Sequence, residues 1–187
     1  MKIVVVGTRG IPDIQGGVET HCEELYPRLA AMGHDVTVVR RSCYVTPQNK
    51  IKEYKGVHLK DIYAPRRKSI EAIVHTFLAI IYARWVGADV LHIHAIGPAL
   101  LTPLARLLGL RVVMTHHGPD YDRQKWNKTA KSVLRWGERM GANYANEVIV
   151  ISTVIDNILR EKYDRTDAHL ILSLIHISEP TRRTPIS

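Results

Sequence analysis

The sequence predicts an α/β fold, a Rossmann-like parallel sheet flanked by helices. Three observations predict it. The chain opens on a continuous β-branched run, Lys2–Val6, that stops at Gly7, as a strand buried on both faces reads. Short apolar runs then alternate with longer stretches of helical period, the rhythm of right-handed βαβ crossovers. The 187 residues are 45% apolar and 24% charged, which suits one domain with its own core and excludes wholesale disorder.

The elements follow in order. After the Lys2–Val6 strand comes a glycine-rich loop, Gly7 to Gly17, and then a helix with Val18, Cys22, Leu25, Leu29 and Met32 on one stripe. Gly33 stands where a helix C′ residue belongs. Pro27 interrupts the pattern and should kink the helix, because it removes a backbone donor. Asp35–Val39 reads as the second strand, 56–63 as the third and 69–85 as a long apolar helix. Asp89–Ile93, Leu110–Thr115 and Glu147–Ile151 read as further strands. Pro98–Leu108, Lys125–Tyr144 and Thr153–Tyr163 read as helices, and Ala168–Leu172 as the start of another strand. From Ser173 to Ser187 no period persists and two prolines fall close together. That stretch resembles translated sequencing-adaptor DNA. The expected domain is therefore 1–172, with 173–187 an artefactual tail or a disordered end.

Composition narrows the function classes. Two cysteines, Cys22 and Cys43, imply no disulfide framework, so reduced thiols in the cytoplasm are the expectation. The start has too short an apolar run for a signal peptide, and the apolar stretch 72–86 falls short of a membrane span. The formal net charge is +8, a pointer to anions in general. Single-stranded nucleic-acid binding also needs stacking aromatics, and these are only 6% of residues with a single Phe. Nucleic acid is not expected as a partner.

Ligands of an open α/β sheet bind beyond the carboxyl ends of the strands. That rule selects the loop 7–17, the segment 40–42, the segment 94–97, the segment 116–120 and Ser152. Gly16 and Gly17 immediately precede a helix N-terminus, where bare amides and the helix dipole favour a phosphate or diphosphate; a loop needing glycine only for its turn is the plainer reading. The loop does not read G-x-G-x-x-G. Arg40 and Arg41 end the second strand, either as a solvated strand end or as partners of an NADP 2′-phosphate. His92 and His94 share one strand face; His92 reads as a satisfied buried histidine. His94, His116 and His117 lie at strand tips, and no spacing matches a zinc pattern, so no metal is expected. Gly118 leaves the His117 imidazole uncovered, able to donate to a hydroxyl or phosphate oxygen. At about 100° per residue, Lys125, Lys128, Lys131, Arg135 and Arg139 form one arc, while Trp126, Ala130, Val133, Gly137, Met140 and Tyr144 form the opposite arc expected to face the sheet. The cationic arc is either plain solvated surface or a contact with an anionic membrane, with Arg66, Arg67 and Lys68 adding to it.

Five segments taken in order, GTRGIPDIQGGVETHCEEL, GHDVTVV, DVLHIHAIGPALL, VVMTHHGPDYDR and EVIVIST, resemble the N-terminal half of family-4 glycosyltransferases of the GT-B fold, rhamnosyltransferase-like members above all. The resemblance covers roughly residues 1–170. It implies one half of a GT-B fold, the acceptor-side domain of a retaining, metal-independent enzyme without cofactors. Such an enzyme moves a sugar from a nucleotide-sugar to a saccharide or lipid-linked acceptor in bacterial surface-polysaccharide synthesis. By position it implies that Gly16 and Gly17 meet the donor diphosphate, that His117 is the catalytic residue beside the transferred sugar, and that His94, Glu19, Arg9 and Asp120 line the cleft. The family's second domain, with its paired glutamates, is not in this sequence, so the chain alone is expected to be inactive. The location implied is cytoplasmic, possible membrane contact being peripheral. An NADP-dependent oxidoreductase and a non-catalytic sugar-phosphate or membrane-binding module are the competing readings.

Overall fold

A computed structural model of the chain describes residues 1–67, 70–122 and 127–172. In chain order the strands are β1 (Lys2–Val6), β2 (Asp35–Arg41), β3 (Glu53–Tyr54), β4 (Val57–Ile62), β5 (Val90–His94), β6 (Arg111–His116), β7 (Glu147–Val150) and β8 (His169–Leu170). The helices are α1 (Gly17–Ala31), α2 (Glu71–Trp85), α3 (Thr102–Leu107), α4 (Lys128–Tyr144) and α5 (Thr153–Tyr163). The strands form one sheet in the order β3-β4-β2-β1-β5-β6-β7-β8. This is the predicted α/β, Rossmann-like architecture. The chain order turns back at β1, which pairs in parallel with both β2 and β5. That reversal opens a crevice beyond the carboxyl ends of β1 and β5.

The sheet is mixed rather than wholly parallel, because β3 pairs antiparallel with β4. The turn between them, Lys55-Gly56, has φ of 47° and 81°, the geometry of a tight hairpin. A strand of two residues carries no readable period, so sequence reading passed over it. Pro27 does not end α1, which runs on to Ala31. The predicted helix over Pro98–Leu108 is instead a 3₁₀ turn (Pro98–Leu101) followed by α3. Pro103 has no N–H for an α-type bond back to Ala99, so the helix restarts with proline in its first turn.

Apolar side chains from the two sheet faces form separate cores. On one face Ile3, Val5, Val36 and Val38 pack against Cys22 and Tyr26 of α1. On the other, Val4, Val6, Ile93, Met114 and Val148 meet Ile80 of α2 and Leu159 of α5. Among the described residues no helix is long and apolar enough to cross a membrane.

Helix α4 begins at Lys128, capped by the Asn127 side chain, which accepts from the Ala130 N–H at 2.9 Å. Lys125 and Trp126, like Lys68 and residues 173–187, lie outside the described residues. The inward face of α4 differs in part from the predicted arc. Gly137 is buried as expected, together with Glu138, Gly141 and Ala142, whereas Val133 is 36% exposed and Tyr144 49%. Close approach dictates this. A Cβ on Gly137 would lie 1.9 Å from the Ile96 carbonyl oxygen, and one on Gly141 would lie 2.3 Å from Met114 Sδ. Small residues let the helix backbone press against the 3₁₀ turn and β6, while Leu134 packs on the core and Val133, Trp136 and Tyr144 are left outside.

Candidate functional site

The crevice at the reversal of strand order is built from the β1–α1 loop, the tips of β5 and β6, and the loop that follows β6. The first turn of α1 starts at Gly17, with Gly16 as its N-cap at φ 153°. A side chain at Gly16 would collide with Glu19, whose Oε2 lies 2.0 Å from the place a Cβ would take. Glu19 is itself nearly buried, and its Oε1 accepts from the Thr8 hydroxyl at 3.2 Å and the Arg9 N–H at 2.9 Å. It therefore braces the loop from within rather than lining an open cleft. Arg9 Nη1 donates to the Gln15 carbonyl at 2.9 Å, and its guanidinium lies 5.4 Å from the Tyr44 ring centre. The Gly16 carbonyl accepts the Thr20 N–H. The N–H groups of Gly17 and Val18 have no acceptor among the described residues, as expected of a first helical turn.

One turn further along α1, the His21 ring sits 5.2 Å from the His117 ring and 5.9 Å from that of His94. Helix α1, which opens at the glycine pair, thus reaches the His117 ring through His21. Sequence reading missed His21 and Tyr26, whose spacing from Cys22 looks like ordinary helix core. Around them runs a buried hydrogen-bond chain. His117 Nε2 meets His94 Nδ1 at 2.8 Å, and His94 Nε2 meets the Tyr26 hydroxyl. The same hydroxyl meets His92 Nδ1 at 2.9 Å, and His92 Nε2 meets Thr115 Oγ1 at 2.7 Å. His92 is a satisfied buried histidine, as the sequence suggested. His94 is corrected: it is fully buried with both nitrogens engaged, so it supports His117 instead of touching a ligand. Burial pushes the imidazoles of His92 and His117 down to about 3, with neighbouring histidines acting the same way. Burial, followed by the other histidines, also holds His94 well below its usual value, and burial lowers His21. The cluster is electrically neutral. His117 Nδ1 has no hydrogen-bond partner among the described residues.

The loop carrying His117 is held by a second network on the other sheet face. The Gly118 N–H donates to His116 Nδ1 at 3.0 Å, so the proton of that ring is on Nε2, which donates to Glu138 Oε1 at 2.8 Å. Tyr163 donates to Glu138 Oε2 at 2.7 Å, and Tyr121 to both carboxylate oxygens at 3.2 Å. Burial raises the Glu138 carboxyl, but the bonds from His116, Tyr163 and Tyr121 outweigh it and hold the group below the usual carboxylate range. Adjacent residues His116 and His117 thereby pin the loop to opposite faces. Asp120 stands three residues beyond His117, its N–H donating to the Gly118 carbonyl at 2.9 Å. Among the described residues no group of three or more His, Cys, Asp or Glu side chains is arranged to hold a metal ion.

Arg40 and Arg41 fit neither reading offered for them. Arg40 is fully buried: its Nε pairs with Asp61 at 2.6 Å, and its Nη1 and Nη2 donate to the Asn49 and Ile51 carbonyls at 2.7 and 3.1 Å. Arg41 Nη1 pairs with Glu71 at 2.7 Å and Nη2 donates to the Gly7 carbonyl at 3.2 Å. They are structural ties, not a solvated strand end, and their committed donors leave no guanidinium fork for a 2′-phosphate.

Comparison with known proteins agrees with this architecture. The model of the family described as Glycosyltransferase Family 4 matches residues 15–178. Among solved structures the chain is similar to sucrose-phosphate synthase from Thermosynechococcus elongatus, with TM-score 0.68 and 17% identity over 91% of this chain and 47% of that one. It is also similar to Phytolacca americana UGT2 complexed with UDP-2fluoro-glucose and pterostilbene, with TM-score 0.55 and 12% identity over 90% of this chain and 52% of that one. A third likeness is to an Arabidopsis thaliana UGT complexed with UDP-L-rhamnose, with TM-score 0.54 and 12% identity over 91% and 51% of the two chains. The chain spans about half the length of these three structures. At such identities the likeness is one of fold, that of one half of a GT-B glycosyltransferase. No curated protein matches the sequence. The family match takes in most of the chain, and the chain belongs to Glycosyltransferase Family 4.

Proposed function

We propose that this chain forms the acceptor-side wall of a retaining, rhamnosyl- or hexosyl-transferring enzyme. The donor is a nucleotide-sugar, and the acceptor is a saccharide or lipid-linked saccharide of a bacterial surface polysaccharide. What supports the reading is that the Gly17 and Val18 amides, without an acceptor among the described residues, open the helix whose His21 ring packs 5.2 Å from the His117 ring. When the sugar–phosphate bond breaks, charge develops on the diphosphate, and oriented N–H groups at a helix N-terminus stabilise it. His117 adds a hydrogen bond to a sugar or phosphate oxygen. Arg9 and Asp120 border the same loops. Half a cleft does not exclude water or align two substrates, so the chain by itself binds without turning over.

The exposed arc of α4 adds a place for a membrane-borne acceptor. Lys128, Arg135 and Arg139 face outward there beside Trp136, and each cation near an anionic leaflet contributes about 1 kcal/mol. The reaction is tested by incubating the chain with a panel of nucleotide-sugars and lipid-linked saccharides and reading binding and products by mass spectrometry. Binding of a nucleotide-sugar that Gly17→Asp weakens, without product, supports the reading. Turnover by the chain alone, or binding indifferent to Gly17→Asp, overturns it.

A further inference from the structure

We infer that Thr115, His92 and Tyr26 are positioning residues. Through His94 they form a hydrogen-bonded wire that holds His117 in the tautomer protonated at Nδ1, so that it offers a ligand a neutral N–H donor.

The wire runs from His117 Nε2 to His94 Nδ1, from His94 Nε2 to the Tyr26 hydroxyl, from that hydroxyl to His92 Nδ1, and from His92 Nε2 to Thr115 Oγ1. A neutral imidazole carries one N–H and one bare nitrogen, and a tyrosine hydroxyl has one hydrogen. Each inner ring therefore accepts at one end and donates at the other. Three proton orders satisfy every link, but the one in which both rings donate to Tyr26 leaves the buried Tyr26 hydrogen without an acceptor among the described residues, so two remain. In one, all three histidines are protonated on Nε2 and the protons point toward Thr115. In the other, all three are protonated on Nδ1 and the protons point toward His117.

Thr115 selects between them. Its side chain is fully buried, and its hydroxyl has no partner among the described residues except His92 Nε2. If it accepted there, its own hydrogen would be left buried and unbonded. If it donates, only a lone pair goes unused, which buried oxygens tolerate more readily. Thr115 therefore donates to His92, His92 to Tyr26, Tyr26 to His94, and His94 to His117 Nε2. The His117 proton is on Nδ1, the nitrogen left without a partner among the described residues. His21, the titratable side chain stacked edge-on against His117, opposes a second proton on the ring. His117 thus serves as a hydrogen-bond donor to an oxygen and not as a general base.

The ligand side of this inference rests on the proposed function; the proton order does not. Two-bond 15N–1H correlation of the histidine rings in the 15N-labelled chain tests both. Expected are protonated Nδ1 and bare Nε2 on His92, His94 and His117 together. Tyr26→Phe should leave His92 in that tautomer and release His94 and His117 from it, and Thr115→Val should release all three. A parent spectrum in which any of the three is protonated on Nε2 overturns the wire, whether or not the variants fold. A His117 tautomer unmoved by Tyr26→Phe also overturns it. Added inorganic pyrophosphate should shift the His117 Nδ1 resonance without changing the tautomer. No shift from a wire that is otherwise intact refutes the ligand reading alone.

Discussion

Acidification is the perturbation that interrogates the histidine cluster most sharply. Burial holds His92 and His117 of the cluster at about 3, and holds His75, a buried residue of α2 apart from the cluster, at about 4, with Arg41 acting in the same direction. An unfolded histidine titrates near 6.5. The unfolded chain therefore takes up protons that the folded chain refuses as pH falls below about 6.5. For a basic group whose folded value is depressed, stability is complete above the unfolded value and drains away toward the folded one. Between pH 7 and pH 5 each such histidine loses about 2 kcal/mol, so these three together lose about 6 kcal/mol. His21 and His94, also lowered, add to the loss. Domains of this kind are stable by roughly 5–15 kcal/mol, so most of the margin disappears in that interval. Urea unfolding followed by circular dichroism at a series of pH values measures it. His92→Gln, which keeps a polar side chain in the wire, should reduce the slope by about 1.4 kcal/mol per pH unit. A urea midpoint that stays level from pH 7 to pH 5 would refute the claim that the cluster is buried and neutral.

Other consequences concern packing and surface charge. Glu138→Leu strips the acceptor from His116, Tyr121 and Tyr163 and should cost about 3–5 kcal/mol in chemical denaturation; Glu138→Gln, still able to accept from His116, should cost clearly less. Because Glu138 is held below the usual carboxylate range, its own contribution should persist through the histidine transition and fade only at lower pH, visible as a second phase that Glu138→Gln removes. Gly137→Ala drives a methyl toward the Ile96 carbonyl and should cost about 1–3 kcal/mol, read from the same unfolding curves. Replacing Lys128, Arg135 and Arg139 by Glu should abolish sedimentation with anionic liposomes. Equal binding to neutral vesicles, or no loss on charge reversal, contradicts the membrane contact.

The strands and crossovers were readable because buried parallel strands are uninterrupted apolar runs, as in Lys2–Val6, and because Thr153–Tyr163 keeps a clean helical period. The strand-end rule likewise put Gly16, Gly17 and His117 on segments just beyond strands β1 and β6, where they lie. What escaped was set by three-dimensional proximity. The α4 face was misassigned in part: Gly137 is inward as expected, but apolar periodicity favours Val133 and Tyr144, whereas Glu138, Gly141 and Ala142 are the residues buried beside it. Arg40 at a strand tip looked solvated; only the fold brings Asp61 and the Asn49 and Ile51 carbonyls around it. His94 looked like a ligand contact because nothing in its neighbourhood along the chain announces Tyr26, 68 residues away.

The central claim is that the first turn of α1 and the His117 ring form one anion-receiving crevice at the reversal of strand order. Backbone amide shift mapping with inorganic pyrophosphate tests it most directly. The account predicts that the amides of Gly16, Gly17 and Val18 and the ring of His117 move first and together, and that Gly17→Asp abolishes the movement. Shifts confined to Lys128, Arg135 and Arg139 on α4, with the α1 turn unmoved, would contradict it.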